Sequence, residues 1–390
     1  MADKAYITPK VLKWARESAR ISLEVAAAKV PVEPERLKEW EEGEAHPTIR
    51  QAETLAKAYR RPFALFFLPE VPRDFKPLQD FRKPNSEPLS TASIFIIREI
   101  QQKQAWISDV YQENEEEPLS FVGKYNVSSN PILVANDILQ TLQISPLHYV
   151  SDNPIKEWIN KAEAKGIFIS RTSFIHSRLL LNNEELQGFS VADKYAPFIF
   201  VNSDDWNAPQ LFTLVHELAH IWIAESGISN EIESGLSNKE SLHPIELFCN
   251  EVASNALMPV SIMNEIDNKT FDSFANIFKT SKALGVSTFA LLVRAYNLNQ
   301  ISLNKYRQLK ATADIEFKAF LKREEEKKAK QKKQKGGPDY FRLLVNKNSF
   351  LFTQVVLDAF RGGSIEPTTA SRLLNTQLNN FPKLEAFINA

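Results

Sequence analysis

The chain has 390 residues, with 47 Lys and Arg against 48 Asp and Glu, a net charge of −1. This balance excludes a global field that would drive binding to nucleic acid or membrane, and the single cysteine, Cys249, excludes an internal disulfide framework and fits a reducing cytoplasm. An apolar content of 43% with 11% aromatics is enough for real cores; with no N-terminal signal core and no apolar run of about 18 residues, a cytoplasmic protein without membrane association is expected.

Residues 8–68 predict a compact set of short helices. Thr8-Pro9 offers an N-cap and a proline at the first helical position, and Ser22 caps LEVAAAKV. Pro34 starts a helix that Gly43 ends, Pro47-Thr48 starts another, and PFALFFL closes the unit. The layout resembles a helix-turn-helix domain of the Xre/Cro type, through Arg16, the Leu23/Ala26/Ala27 face, Trp40-Glu41-x-Gly43, Pro47-Thr48 and Leu55-Ala56. The third helix departs from that pattern. Glu33, Glu35, Glu39, Glu41, Glu42 and Glu44 face only Arg36 and Lys38, whereas a surface that grips phosphates should be basic. DNA binding by domain 1–68 is therefore doubtful. The expected partner is a protein, for instance another helix-turn-helix; the blander alternative is a structural cap on the next domain.

Residues 69–160 read as linker and helices. The proline-rich stretch 69–90 has no period and is expected to run extended, docked through Phe75, Leu78 and Phe81. Helices are expected from Ala92 to Gln112, from Asn130 to Ser145 and from Asn153 to Ala164, with a solvated acidic run from Glu113 to Glu117.

In 161–300 the period changes. Gly166–Arg171, Gly188–Ala192 and Phe198–Asn202 are strand candidates, with a turn over Asp193–Pro197. Next comes LFTLVHELAHIWI, from Leu211 to Ile223. It holds HExxH: His216, Glu217 and His220. Positions i and i+4 share one helix face, so two imidazoles can bind one Zn²⁺ and the neighbouring carboxylate can activate a water. The flanks are apolar all round, which predicts a buried helix in which these polar groups need a partner. Hydrogen-bonded core histidines are the alternative. A second helix is expected over Glu240–Met258, then a helical pair, Phe271–Leu284 and Ser287–Tyr296. A long charged helix or linker fills 301–337, and 338–390 is a small helical cap or substrate-docking module with helices at Ser349–Phe360 and Pro367–Leu374. The lysine-rich end of the long helix reads as solvated.

A catalytic zinc takes three protein ligands and keeps one position open. HELAHIWIAES contains no third histidine, and the next helix offers both Glu246 and Glu251, each followed at i+4 by an asparagine, Asn250 or Asn255. Spacing leaves that choice open. Either asparagine could orient a ligand.

GFSVADKYAPFIFVN, FTLVHELAH and the block Glu246, Asn250, Ala253, Leu257, Met258, Pro259 together resemble the ImmA/IrrE family of metallopeptidases over about residues 160–300. The resemblance implies Glu246 as third ligand, with Glu251 second. It implies an α+β fold, a mostly helical multidomain chain whose zincin-like metallopeptidase domain carries a small β-sheet, with an edge strand that holds extended substrate. It implies metal-assisted hydrolysis with Zn²⁺ (Mn²⁺ is compatible) on His216, His220 and Glu246, and Glu217 as general base. Asn250 would stand behind the ligands; His243 is the first candidate oxyanion donor, before His176 and Tyr195. The expected substrate is a protein, in particular a helix-turn-helix repressor or antitoxin, cleaved in stress response, mobile-element control or phage defence. Two alternatives remain: a DNA-binding regulator or antitoxin-like protein using the peptidase fold as sensor or scaffold, and an interaction scaffold with a structural metal. The sequence does not set the oligomeric state.

Overall fold

The computed structural model describes residues 3–75, 77–81, 86–229, 243–331 and 339–389, with 324–331 described by backbone alone. The chain divides into two compact units, the first formed by 1–77, 87–101 and 174–180, the second by 78–86, 102–173 and 181–390. The fold is mostly helical, with a small mixed sheet of five strands and a two-stranded sheet. No helix among the described residues is long and apolar enough to cross a membrane.

In the first unit, α1 (Pro9–Ser18), α2 (Leu23–Ala27), α3 (Pro34–Glu42) and α4 (Ile49–Ala58) are followed by a 3-10 helix over Phe63–Phe67. The predicted caps form: the Ser22 hydroxyl accepts from Val25 N–H, and Thr48 and Gln51 make a reciprocal capping box. Gly43 ends α3 at φ 84°, a left-handed conformation that a β-carbon would strain. Helix α2 is shorter than expected and ends at Ala27. Helices α1 and α3 are pinned together by a buried two-point ion pair, Arg16 Nε to Glu41 Oε1 at 2.7 Å and Nη2 to Oε2 at 2.8 Å. Glu41 is thus structural, while Glu33, Glu35, Glu42 and Glu44 are exposed. The only two cations of α3 pair along the helix, Arg36 with Glu39 and Lys38 with Glu42. A hairpin of β3 (Phe174–His176) and β4 (Leu179–Leu180) also belongs to this unit.

The second unit is built around a sheet of strand order β1-β7-β5-β6-β2, with β1 at Gln79–Asp80, β2 at Phe168–Thr172, β5 at Gly188–Val191, β6 at Phe198–Asn202 and β7 at Gly227–Ser229. Strand β5 runs antiparallel to both β6 and β7, while β2 is parallel to β6 and β1 parallel to β7. Helix α5 (Thr91–Glu113), whose residues up to Gln101 belong to the first unit, is followed by α6 (Pro131–Leu142) and α7 (Pro154–Glu163). Helix α8 (Asn207–Trp222) packs on β5 and β6 and is covered by α6, α7 and α9 (Pro244–Leu257). Every residue of α8 from Gln210 to Trp222 is buried, as an all-apolar helix requires.

Several expectations change here. Only Phe81 of the three linker anchors is buried; Phe75 is exposed and Leu78 half-buried. Helix α9 does not run through His243, whose ψ of 141° is extended, because the residue before a proline avoids helical geometry and Pro244 suits a first helical position. Residues 240–242 and 332–338, on which the start of that helix and the end of the charged one were expected, lie outside the described residues. Helix α10 (Val260–Glu265) and a 3-10 turn at Asn268–Asp272 precede α11 (Phe274–Leu284) and α12 (Thr288–Asn297), and α13 (Leu303–Gln331) comes next.

The C-terminal helices are α14 (Tyr340–Asn348), α15 (Phe350–Arg361), α16 (Pro367–Leu374) and α17 (Phe381–Ile388); α14 and α15 pack against β2, and α16 and α17 pack on α15. Ser170 Oγ donates to Lys347 O at 2.6 Å, and Lys103 Nζ to Asn348 Oδ1 at 2.7 Å. Glu163 Oε1 accepts from Ser349 Oγ at 2.5 Å and from the Phe350 and Leu351 amides at 3.0 and 3.4 Å, at the start of α15. Burial outweighs these donors and pushes Glu163 up to about 7 from an ordinary 4.5. The fold therefore favours the protonated acid. Its contribution is complete below 4.5 and is lost as pH rises through 7, on the order of 3 kcal/mol. Glu163→Gln, a permanent neutral form, should gain thermal stability over wild type between pH 5 and pH 8. Parallel melting-temperature curves across that range would refute this account.

Candidate metal centre

Helix α8 brings His216, Glu217 and His220 to one place, fully buried, because i and i+4 stack on one face. Helix α9 supplies Glu246, which is 3% exposed. Its Oε2 lies 3.2 Å from His216 Nε2 and its Oε1 3.2 Å from His220 Nε2, and the two Nε2 atoms are 3.1 Å apart. Three groups rich in lone pairs thus converge. Zn–N bonds of about 2.0–2.1 Å at tetrahedral angles place neighbouring donors roughly 3.3 Å apart, so the set fits such an ion. His216 Nδ1 is 3.0 Å from Asn250 Oδ1. The asparagine oxygen can only accept, so Nδ1 carries the proton and Nε2 presents its lone pair to the cluster. His220 Nδ1 has no hydrogen-bond partner among the described residues.

Electrostatics follow from packing four polar groups together in an apolar interior. At Glu246, burial opposes ionisation, but His216 and His220 outweigh it and hold the carboxyl down at about 2. At His216, burial opposes the charged ring, while Glu246, Glu217 and Asn250 raise it overall. Burial raises Glu217 against the pull of His220 and His216. Neither oxygen of Glu217 has a geometrically formed hydrogen bond among the described residues, although the Ser190 hydroxyl lies against it and favours its ionised form. A fully buried carboxyl in that condition is costly unless its partner is a cation or a reactant.

The surroundings are shaped for close approach. A β-carbon on Gly188 of β5 would stand 2.6 Å from Thr213 Cγ2 and 3.1 Å from both Glu217 Oε1 and Phe200 O. Ser229 Oγ donates to Glu246 Oε1 at 3.3 Å. Phe81 stacks on His220, with centroids 5.4 Å apart at 18°, and lies 5.2 Å from the His243 ring.

The other sequence candidates stand outside the cluster of donor atoms, His243 nearest to it, across the Phe81 ring. Glu251 is exposed; its carbonyl accepts from Asn255 Nδ2 and its charge acts on Arg294. Asn255 Oδ1 accepts from Arg294, away from the cluster. His243 is exposed at the N-cap of α9, its Nδ1 accepting from Ile245 N–H. His176 is exposed on the β3–β4 hairpin, and Tyr195 is half-buried in the turn before β6. Sequence reasoning missed Cys249, whose sulfur lies with the ligand atoms of His216 and His220 within 4.8 Å of one another. Its i+3 spacing from Glu246 was the available signal. Both Glu246 oxygens touch the ring nitrogens directly, and burial raises the Cys249 thiol, so the carboxylate is the better donor. Gly188 was also missed as a packing residue, although a glycine in a strand signals a close approach.

Residues 162–296 match the family model described as the IrrE N-terminal-like domain, Peptidase_M78. The middle of the chain is similar to the IrrE N-terminal-like domain. Residues 12–66 match the helix-turn-helix model, as the layout of α1 to α4 and the 3-10 turn led us to expect. No curated protein gives a significant match. The matched model describes a metallopeptidase family, and the converging donors described above fall inside the matched span.

Gly188→Ala should destabilise the peptidase domain by about 1–3 kcal/mol, since the methyl group must push β5 from α8. Thermal unfolding checks this, and an unchanged melting temperature would show that the contact relaxes freely.

Proposed function

We propose that the chain is a zinc-dependent endopeptidase that hydrolyses a protein substrate in the cytoplasm, with His216, His220 and Glu246 as metal ligands and Glu217 as general base. The carrying observation is the convergence of two imidazole nitrogens and one carboxylate at 3.1–3.2 Å, beside a buried glutamate with no formed hydrogen bond among the described residues. The match to a metallopeptidase family supports the same reading. Two imidazoles and a carboxylate suit Zn²⁺ and are compatible with Mn²⁺. When bound, the metal supplies Lewis acidity toward a water and a peptide carbonyl.

The chain's own residues do the rest. Asn250 fixes the His216 tautomer, so that Nε2 is available without a proton-transfer step. Glu217 takes the proton of the attacking water and returns it to the leaving amine. Its dry, apolar setting strengthens that exchange, since the carboxylate gives up no hydration shell when the reaction starts.

Glu217→Gln should keep its metal and fold while losing about 10²–10⁴-fold in hydrolysis of a protein substrate. Undiminished cleavage would overturn the role of Glu217. Metal analysis separates the ligands: His216→Ala and Glu246→Gln should lose bound zinc and Glu251→Gln should retain it. Asn250→Ala should weaken zinc affinity about 10–100-fold.

The substrate we favour is a helix-turn-helix repressor or antitoxin. The acidic α3 supports this, because its two cations are already paired and exposed Glu33, Glu35, Glu42 and Glu44 repel phosphate while suiting a basic protein face. Residues 1–77 should accordingly show no DNA binding with a steep salt dependence in a fluorescence-anisotropy titration between 50 and 200 mM salt. A steep slope would return this domain to DNA recognition.

A further inference from the structure

Strand β1 lies on the sheet edge beside the ligand cluster, and its sequence comes from the proline-rich stretch, not from the peptidase match. Gln79 and Asp80 pair with Gly227 and Ile228, and Phe81 N–H donates to Ile228 O at 3.1 Å. The Phe81 ring is buried, stacked on His220 and in contact with His243. Gly227 makes the room for it: a β-carbon there would stand 2.0 Å from Phe81 Cε2 and 2.2 Å from Cδ2. The slot is thus cut to take an aromatic ring.

Two features mark β1 as a replaceable occupant. Among the described residues its ladder is two residues long, and both of those residues are exposed. The edge it covers is functionally placed, because Ser229 of the same β7 strand bonds Glu246. An extended polypeptide adds to an open sheet edge through its backbone and is selected by the pockets that receive alternate side chains.

We propose that residues 79–81 are an intramolecular strap, which occupies the β7 edge where extended substrate docks and fills with Phe81 the slot that receives a substrate's aromatic side chain. The inference rests on the peptidase reading above. It names the substrate class as an extended segment carrying an aromatic residue, and it makes the resting enzyme self-covered. Substrate displaces the strap by offering the same two things, an extended backbone and a ring.

The test uses full-length, zinc-loaded protein. The probe is a fluorescein-labelled peptide copying residues 77–86, PLQDFRKPNS, with a second peptide carrying Ala in place of its Phe. Binding is measured by anisotropy in the Glu217→Gln background, so that the probe is not consumed. Phe81→Ala should bind the first peptide at least tenfold more tightly than the form with Phe81, and the second peptide no better than background. Phe81→Leu, a milder change that guards against misfolding, should fall between. With Glu217 intact and zinc content unchanged, Phe81→Ala should cleave unstructured casein at least fivefold faster than wild type. Equal peptide binding with and without Phe81, or slower casein cleavage with no gain in peptide binding, would overturn the strap and make Phe81 a fixed wall. Failure of every form to cleave casein would count against the peptidase reading, and peptide binding would still decide the strap.

Discussion

Two imidazoles and two carboxylates are shut inside an apolar helix pair, and the second unit is arranged around that constraint. In water each group would be solvated at no cost; in the interior each must be answered by another polar atom or by an ion. Glu246 answers both histidines at once, and Asn250, one turn further along α9, answers the far side of His216. Helices α8 and α9 must therefore pack face to face with little freedom to slide. Nothing comparable answers Glu217 among the described residues, which leaves it the group with free energy to gain from a reactant.

The sheet that supports α8 ends at β2 on one side and at β1 on the other. The C-terminal helices seal β2 through Ser170, Lys103 and Glu163, groups whose partners are buried. Strand β1 seals β7 with a two-residue ladder and one ring. The two sides differ in kind. On the β2 side stand buried polar bonds and two helices, while beside the histidine pair the described residues show a two-residue ladder and one aromatic ring.

The elements that sequence reasoning found were those with strong local chemistry. Pro34 and Gly43 bracket α3, Thr48 and Gln51 cap α4, and the apolar flanks of HExxH announce a buried α8. It could not separate Glu246 from Glu251 by spacing, since either lies in the same helix; five positions at about 100° each put them roughly 140° apart, and only packing says which face turns inward. The resemblance pointed to Glu246, and the geometry brings that residue to both histidines. Strands β1 and β7 escaped because two or three residues carry no period, and β1 sits among prolines that read as linker. Phe81 was read as an anchor, but its neighbour His220 is too far along the chain for any local pattern to pair them.

The register of β1 with β7 joins positions roughly 150 residues apart, and it closes that loop with one of the shortest ladders in the sheet. Gathering that much chain costs more loop-closure entropy than pairing β5 with β6 or β2 with β6, whose partners lie close in sequence. Joining β1 to β7 is therefore the entropically most expensive step in assembling this sheet.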